Sequence, residues 1–344
     1  MGEMRYVLAM DSGGSKTVCL LARADGTVIA VGRGRGVGNL SLDPAVVAEA
    51  LRPAVGKALG GLPAGGRVAA AYGCLGGLNV EAVREALESV VAADCTEVQR
   101  ESSGEVVFAC APLWGFDIAV MAGTGSIALG INAAGESRVV GGWGALIHDC
   151  GSGYAVGRQS LQAIAEALDS RGEGSLLLTA FAEVPPFDHC LPRGPLLGMS
   201  PRDLDYGQRL AIKEGIKKAF PELDRGSVAA LFPVVSACAE QGDPLAVHLL
   251  DQAARDLALL ASMLADELAI AAPRVLASGG VFRAGRCMMD PFRSSLSELL
   301  PQARVQEDGF ALVVGAVIVA LVKAGLPVDA ALAARVRQSA AGIL

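Results

Sequence analysis

The chain has 344 residues, a formal net charge of -7, 52% hydrophobic residues and 4% aromatic residues. It is too long for one compact core of ordinary size, so two domains are expected, with cores built mainly from Val, Leu and Ala. The negative balance and the lack of any Lys or Arg run argue against a nucleic-acid binder.

The first predicted strand, Tyr6-Val7-Leu8-Ala9-Met10, leads into Asp11-Ser12-Gly13-Gly14-Ser15-Lys16-Thr17. A second strand, Val18-Cys19-Leu20-Leu21-Ala22, follows, and the turn Ala24-Asp25-Gly26 precedes a third strand over 27–31. A glycine-rich crossing over 32–38 reaches Asn39 and a helix over 44–59. A strand over 68–72 ends in Gly73-Cys74-Leu75-Gly76-Gly77. The spacing then predicts a helix over 79–93, with Val80, Val83, Leu87, Val90 and Val91 on one face and Arg84, Glu85 and Glu88 opposite. A short strand over 96–99 delivers Glu101-Ser102-Ser103-Gly104-Glu105, and a further helix follows.

The pattern restarts at Ile118. A strand over 118–121 runs into Ala122-Gly123-Thr124-Gly125-Ser126, a strand over 127–131 follows, and a second turn comes at Ala134-Gly135-Glu136. Next is a glycine-rich cluster from Gly141 to Tyr154 that contains Trp143, His148, Asp149 and Cys150. Helical spacing covers 154–168, 208–220, 226–241 and 244–269, with Asp243-Pro244 as a start signal. The proline- and glycine-rich stretch 184–201 reads as a mobile loop. A strand over 274–278, the turn Gly279-Gly280 and a closing helix over 310–323 complete the chain. The expected domains are 1–116 and 117–344, the second carrying a helical insertion over about 155–270.

No targeting segment is visible, since Asp11 interrupts the N-terminal apolar run and no small-residue cleavage site follows. The longest apolar stretch, 310–322, is shorter than the roughly 20 residues needed to cross a bilayer, so it reads as a buried core helix. A cytoplasmic protein with no membrane partner is expected. The eight cysteines include no Cys-x-x-Cys pair, which argues against both a disulfide framework and a zinc site.

Glycine tips let backbone N–H groups approach an anion closely, and nearby hydroxyls add donors. Either tip alone reads as an ordinary hairpin. The pair, at matching places in two similar halves, suggests a polyphosphate gripped from both sides. Phosphoryl transfer needs charge neutralisation, positioning and a base for the acceptor hydroxyl. Asp11, at a strand end, suits a hydrated Mg2+ ion. Gly13, Gly14, Ser15, Lys16 and Thr17 would line the phosphates from one side. Gly123, Thr124, Gly125 and Ser126 would do so from the other, and Gly279 and Gly280 would admit the nucleoside. A Trp between glycines, followed by a carboxylate, suits a sugar with polar edges and an apolar face. It also fits a structural loop around a core Trp.

These motifs resemble the N-acetylglucosamine kinase and BadF/BadG/BcrA/BcrD ATPase family of the actin–hexokinase–Hsp70 superfamily. The resemblance spans nearly the whole chain, from Asp-Ser-Gly-Gly-Ser-Lys-Thr through Gly38-Asn39, Gly141 to Gly157, Gln241-Gly242-Asp243, Leu276 to Phe282 and Val314-Gly315-Ala316. It implies an α/β fold of two ribonuclease H-like, actin-like ATPase lobes with mixed sheets flanked by helices. It also implies ATP and Mg2+ in the cleft, and a hexosamine near Asn39, Thr124, Trp143 and Asp149. Members of such a family often pair, which implies a homodimer.

Two positions depart from the family pattern. Glu101 stands where the kinases carry the Asp that takes the sugar proton, so Glu101 would be the base. His148-Asp149-Cys150-Gly151-Ser152 replaces Gly-Asp-Glu-Gly-Ser, keeping the carboxylate and changing its neighbours. The leading expectation is a kinase converting N-acetylglucosamine to its 6-phosphate. The alternatives are an ATPase driving a partner reductase or dehydratase through a cysteine-held iron–sulfur cluster, and a sugar sensor without turnover. Glu105 reads as solvent-facing, Cys150 as a small buried thiol rather than a metal or cluster ligand, and His148 as a loop residue. The 32–38 crossing and Gly104 read as hinges.

Overall fold

The computed structural model describes residues 5–14, 16–38, 40–169, 175–191, 203–306 and 311–344. Strands β1 (Arg5–Ser12), β2 (Lys16–Arg23) and β3 (Val28–Arg35) run as an antiparallel meander. Helix α1 (Pro44–Leu59) crosses back to β4 (Arg67–Leu75), and α2 (Val80–Val90) to β5 (Thr96–Arg100). The sheet order is β3-β2-β1-β4-β5, with β4 parallel to both β1 and β5. Asp43 caps α1 by accepting from Ala45 N at 2.9 Å, and Pro44 occupies the first turn, where a missing N–H costs nothing. Glu101–Ser103 forms a tight turn before α3 (Glu105–Trp114).

The 32–38 crossing differs from expectation. Gly32 and Gly34 lie inside β3 because α1 packs directly on them: a Cβ on Gly32 would sit 1.8 Å from Ala54 O. Those glycines serve close packing rather than a hinge.

The second sheet contains β6 (Ile118–Ala122), β7 (Ser126–Ile131), β8 (Ser137–Gly141), β9 (Arg274–Ser278) and β10 (Arg304–Gln306), in the order β10-β9-β6-β7-β8. Position for position this repeats the first sheet. Where α1 alone joins β3 to β4, the second half inserts α4 (Gly153–Leu168), α5 (Leu177–Phe181), α6 (Tyr206–Lys218), α7 (Arg225–Ala229), α8 (Phe232–Glu240) and α9 (Pro244–Glu267). The single helix expected over 226–241 is broken into α7 and α8. Pro233, in the first turn of α8, has no N–H to continue the earlier helix. Part of the loop expected over 184–201 lies outside the described residues. Before it come a turn at Phe187–His189 and Leu191, buried in the helical core. Helix α10 (Arg286–Leu299) joins β9 to β10, and α11 (Leu312–Lys323) and α12 (Ala330–Ala341) close the chain. The sequence reading missed β8, α5, α10, β10 and α12.

The chain divides into two compact units, Met1–Asp117 with Leu129–Ser137 and Asp308–Leu344, and Ile118–Ala128 with Arg138–Glu307. The expected second domain, 117–344, therefore differs at its end, because α11 packs against β1, β4 and α3 of the first unit. Every residue from Val313 to Leu321 is buried, as an all-round apolar helix requires. This agrees with the core-helix reading. Among the described residues no helix is long and apolar enough to cross a membrane.

Asp243 shows how the insertion is held. Its buried carboxylate caps α9 by accepting from Ala246 N at 2.9 Å, and also accepts from Leu176 N at 2.7 Å and the Ser175 hydroxyl at 3.0 Å. One side chain thus fixes a helix start and the entry to α5.

Candidate active site

In the first unit three chain segments converge on the end of β1. Asp11 and Ser12 pair with Cys74 and Leu75 of β4 on one side and with Val18 and Thr17 of β2 on the other. Gly13 N donates to Lys16 O at 3.1 Å, Gly38 N to Gly13 O at 3.0 Å and Gly76 N to Ser12 O at 2.8 Å. A Cβ built on Gly13 or Gly14 would meet nothing within 4 Å among the described residues, so the tip presents bare backbone. Ser15 and Asn39 lie outside the described residues. Asn79 braces the loop around Asn39, its amide donating to Val37 O and Ser41 O at 2.9 Å each.

The hydroxyls at this tip turn inward. Thr17 donates to Arg35 O at 2.7 Å, Ser12 lies 2.7 Å from Thr17 Oγ1, and Val37 N donates to Ser12 Oγ at 3.1 Å. With Thr17 as donor to the carbonyl, Ser12 must donate to Thr17, and the chain of bonds closes. Thr17 therefore ties strand ends together, where the sequence reading counted it among the phosphate donors. Lys16 is exposed.

Glu101 arrives from β5. Its Oε2 would lie 3.1 Å from a Cβ on Gly76, whose same face is 3.5 Å from Gly13 Cα, so the carboxylate overlies the glycine tip. Gly104 makes the turn: it has φ 75°, and a Cβ there would strike the Phe108 ring at 2.4 Å and Leu129 Cδ2 at 2.7 Å. It is boxed in rather than a free hinge. Glu105 also departs from its solvent-facing reading. The Tyr72 hydroxyl donates to its Oε2 at 2.8 Å, and Lys323 Nζ lies 3.0 Å from its Oε1 and 2.6 Å from Glu97 Oε2.

Burial pushes the Asp11 carboxyl up to about 6, against the opposing pull of the Lys16 ammonium. Burial also raises the Cys19 thiol to about 12, with Asp11 adding to the effect. Cys74 rises well above its ordinary value, first by burial and then through Asp11 and Glu101, a sign that both carboxylates lie near it. Among the described residues no three His, Cys, Asp or Glu side chains gather into a metal site.

In the second unit, β6 ends at the tip Gly123-Thr124-Gly125. Gly123 N donates to Gly125 O at 2.8 Å, and a Cβ on Gly123 would meet nothing within 4 Å among the described residues. The start of α4 is stitched to this tip: Gly153 N donates to Gly123 O at 2.8 Å and Tyr154 N to Thr124 O at 3.3 Å. Ser152 caps α4 by accepting from Ala155 N at 3.1 Å. Ser126 is buried and donates to Cys150 O at 2.6 Å, so its hydroxyl anchors the 142–152 loop rather than lining the tip. Gly279, at φ 107°, would place a Cβ 2.2 Å from Ala122 O, and Val281 N donates to that carbonyl at 3.0 Å. Close backbone approach to β6 explains this glycine, whereas Gly280 is nearly open.

Trp143 is 67% exposed, which removes the reading of a core Trp. Leu146 and Ile147 on the same loop are also exposed. Asp149 is buried and accepts from Gly144 N at 3.2 Å and from Arg225 Nη2 at 3.0 Å. Sequence reading missed Arg225, which no motif marks. Cys150, expected as a buried thiol, is only half-buried, and burial is the chief cause that raises it to about 11.

Two sheets of one strand order, each with an open glycine tip after its central strand, define an actin-like ATPase fold. The chain belongs to the BadF/BadG/BcrA/BcrD ATPase family, whose model matches residues 8–321. It is 26% identical over 325 residues to an N-acetylmuramic acid/N-acetylglucosamine kinase of Clostridium acetobutylicum, covering 92% of this chain and 98% of that one. A Chromobacterium violaceum structure provisionally named as an N-acetylglucosamine kinase superposes with a TM-score of 0.65 at 25% identity, over 92% of this chain and 99% of that one. A ROK family glucokinase from Streptomyces griseus, solved with glucose and AMPPNP, shares the fold at a TM-score of 0.54 and 18% identity, over 92% and 98% of the two chains.

Proposed function

We propose that this chain is an ATP-dependent kinase that phosphorylates an amino sugar, most directly N-acetylglucosamine at its 6-hydroxyl. The observation that carries the reading is the Glu101 carboxylate lying over the open Gly13 tip, with Gly76 bare beneath it. Full-length similarity to a sugar kinase supports the same reading.

Asp11 fits Mg2+ by donor chemistry: Mg2+ keeps several waters and takes one or two carboxylates plus phosphate oxygens, so a lone carboxylate beside a phosphate-binding tip suffices. Bound Mg2+–ATP supplies the phosphoryl group and neutralises its charge. Backbone N–H groups of Gly14, Ser15 and Lys16 would hold phosphate oxygens, and those of Thr124, Gly125 and Ser126 would do the same, while Gly13 and Gly123, whose N–H groups close their own turns, would give the phosphates bare backbone to approach. Thr17 and the Ser126 hydroxyl would act indirectly, keeping each tip in shape. Gly280 would admit the nucleoside, and Gly279 would set the turn beneath it. Asn39, Thr124, Trp143 and Asp149 would line the sugar site. Glu101 would take the proton of the acceptor hydroxyl as its oxygen attacks phosphorus, and a water-excluding closure would suppress hydrolysis.

The test is Mg2+-dependent ADP release from ATP with N-acetylglucosamine, glucosamine, N-acetylmuramic acid, N-acetylmannosamine and glucose. Strong stimulation by one amino sugar is the expected result. Hydrolysis indifferent to sugar would point instead to an ATPase driving a partner, and tight sugar binding without turnover to a sensor.

A further inference from the structure

Arg225 opens α7, a short helix of the insertion far from any nucleotide motif in sequence, yet it ends against the second glycine tip. A Cβ on Gly125 would lie 2.5 Å from Arg225 Nη2 and 3.0 Å from Asp149 Oδ2. The guanidinium therefore occupies the space that the missing side chain leaves open. Its anchor is unequal to it: the Asp149 side chain is 3% exposed and that of Arg225 is 45% exposed. Asp149 is itself fixed by Gly144 N, and the α7 start is fixed by Asp224, which accepts from Ser227 N at 2.7 Å. All these residues belong to the second unit.

A buried carboxylate that grips one nitrogen of an exposed guanidinium sets the direction of the rest. Arginine carries five N–H donors in a rigid fork. Among the described residues Asp149 is its hydrogen-bonding partner, through the Nη2 that lies beside Gly125, and the half-exposed side chain keeps further N–H donors for a ligand at that tip. A planar fork of this kind binds oxyanions in two-point fashion.

We propose that Arg225 is an anion-binding residue of this site, its outer N–H edge taking the oxygens of an anionic group beside Gly125. Two ligands carry such a group: the terminal phosphate of ATP, and a sugar bearing a carboxylate, as N-acetylmuramic acid does. Asp149 then acts as a positioning residue for Arg225, whatever it contributes to the sugar directly. Arg225 has this role only if the chain handles nucleotide and sugar as proposed above, so the test reads binding rather than turnover.

Calorimetry with AMPPNP–Mg2+, ADP–Mg2+, N-acetylglucosamine and N-acetylmuramic acid, on wild type, Arg225→Gln and Arg225→Lys, decides it. The Gln variant keeps an N–H donor for Asp149 but loses the charge, and its melting temperature reports whether the loop still folds. The expected result is a loss of about tenfold or more for AMPPNP with ADP unchanged, or for N-acetylmuramic acid with N-acetylglucosamine unchanged. Partial recovery in the Lys variant is also expected. The ligand that responds identifies the anion. Equal weakening of all four ligands, or no change in any, overturns the role of Arg225. A wild-type chain that binds none of the four overturns the kinase reading instead.

Discussion

The Tyr72 hydroxyl donates to Glu105 Oε2 at 2.8 Å and so ties the first residue of α3 to the buried strand β4. Glu105 follows Gly104 directly, and Gly104 closes the turn that carries Glu101. The tether, together with Lys323, thus fixes the turn from behind. Tyr72→Phe removes one hydrogen bond to a charged acceptor, which costs roughly 1.5–3 kcal/mol. We expect a lower denaturation midpoint and a fall in kcat larger than any change in ATP affinity, since a displacement of about 1 Å costs on the order of a hundredfold. Equal stability of the variant in a urea titration would show that the tether carries no load.

Glu101→Gln keeps the shape of the turn and removes the base. Loss of general-base catalysis predicts a drop of about 10²–10⁴ in sugar-dependent kcat, with nucleotide binding near wild type. Steady-state ADP release alongside a nucleotide titration separates the two effects. Retained turnover would take Glu101 out of the proton-transfer role.

Asp11 predicts opposite signs for stability and activity. Its folded-state pKa of about 6 stands above the ordinary 3.8, so between those values the folded protein binds more protons than the unfolded chain. Without metal, the Asp11 contribution to stability is therefore fullest below about pH 4, declines as pH rises towards and through 6, and is level above it. A shift of this size corresponds to roughly 3 kcal/mol at most. Asp11→Asn should abolish that slope and, at pH 8 with chelator present, unfold at higher denaturant than wild type while losing Mg2+-dependent activity. A variant less stable than wild type at pH 8 would contradict the burial argument. Because Mg2+ needs the carboxylate form, wild-type activity should also fall as pH drops below about 6.

Asp243 is a structural counterpart to these site residues. Asp243→Ala leaves Leu176 N and the first turn of α9 without their acceptor, at a cost of about 2–4 kcal/mol. Thermal unfolding should show a clear drop, while KM for sugar and ATP in the folded fraction stays unchanged. A shifted KM would mean that the insertion sets the geometry of the site.

The local features were legible in the chain itself. The open tips at Gly13-Gly14 and Gly123, the cap and proline at Asp243-Pro244 and the amphipathic α2 each follow from neighbouring residues, since turn conformation, capping and helix periodicity are decided within a few positions. The likeness of the two halves was readable for the same reason. Side-chain direction was not. Thr17 and Ser126 look like phosphate donors in sequence, but their hydroxyls are claimed by Arg35 O and Cys150 O, carbonyls supplied by other segments. Glu105 looks solvent-facing until Tyr72 and Lys323 reach it, the latter from a helix that returns to the first unit near the end of the chain. Arg225 meets Asp149 across 76 positions, a distance no periodicity spans. The sequence alone determined where backbone would be bare and where carboxylates would stand. The tertiary structure decided which polar groups remain available to a ligand, because each buried donor or acceptor must find a partner, and those partners come from distant parts of the chain.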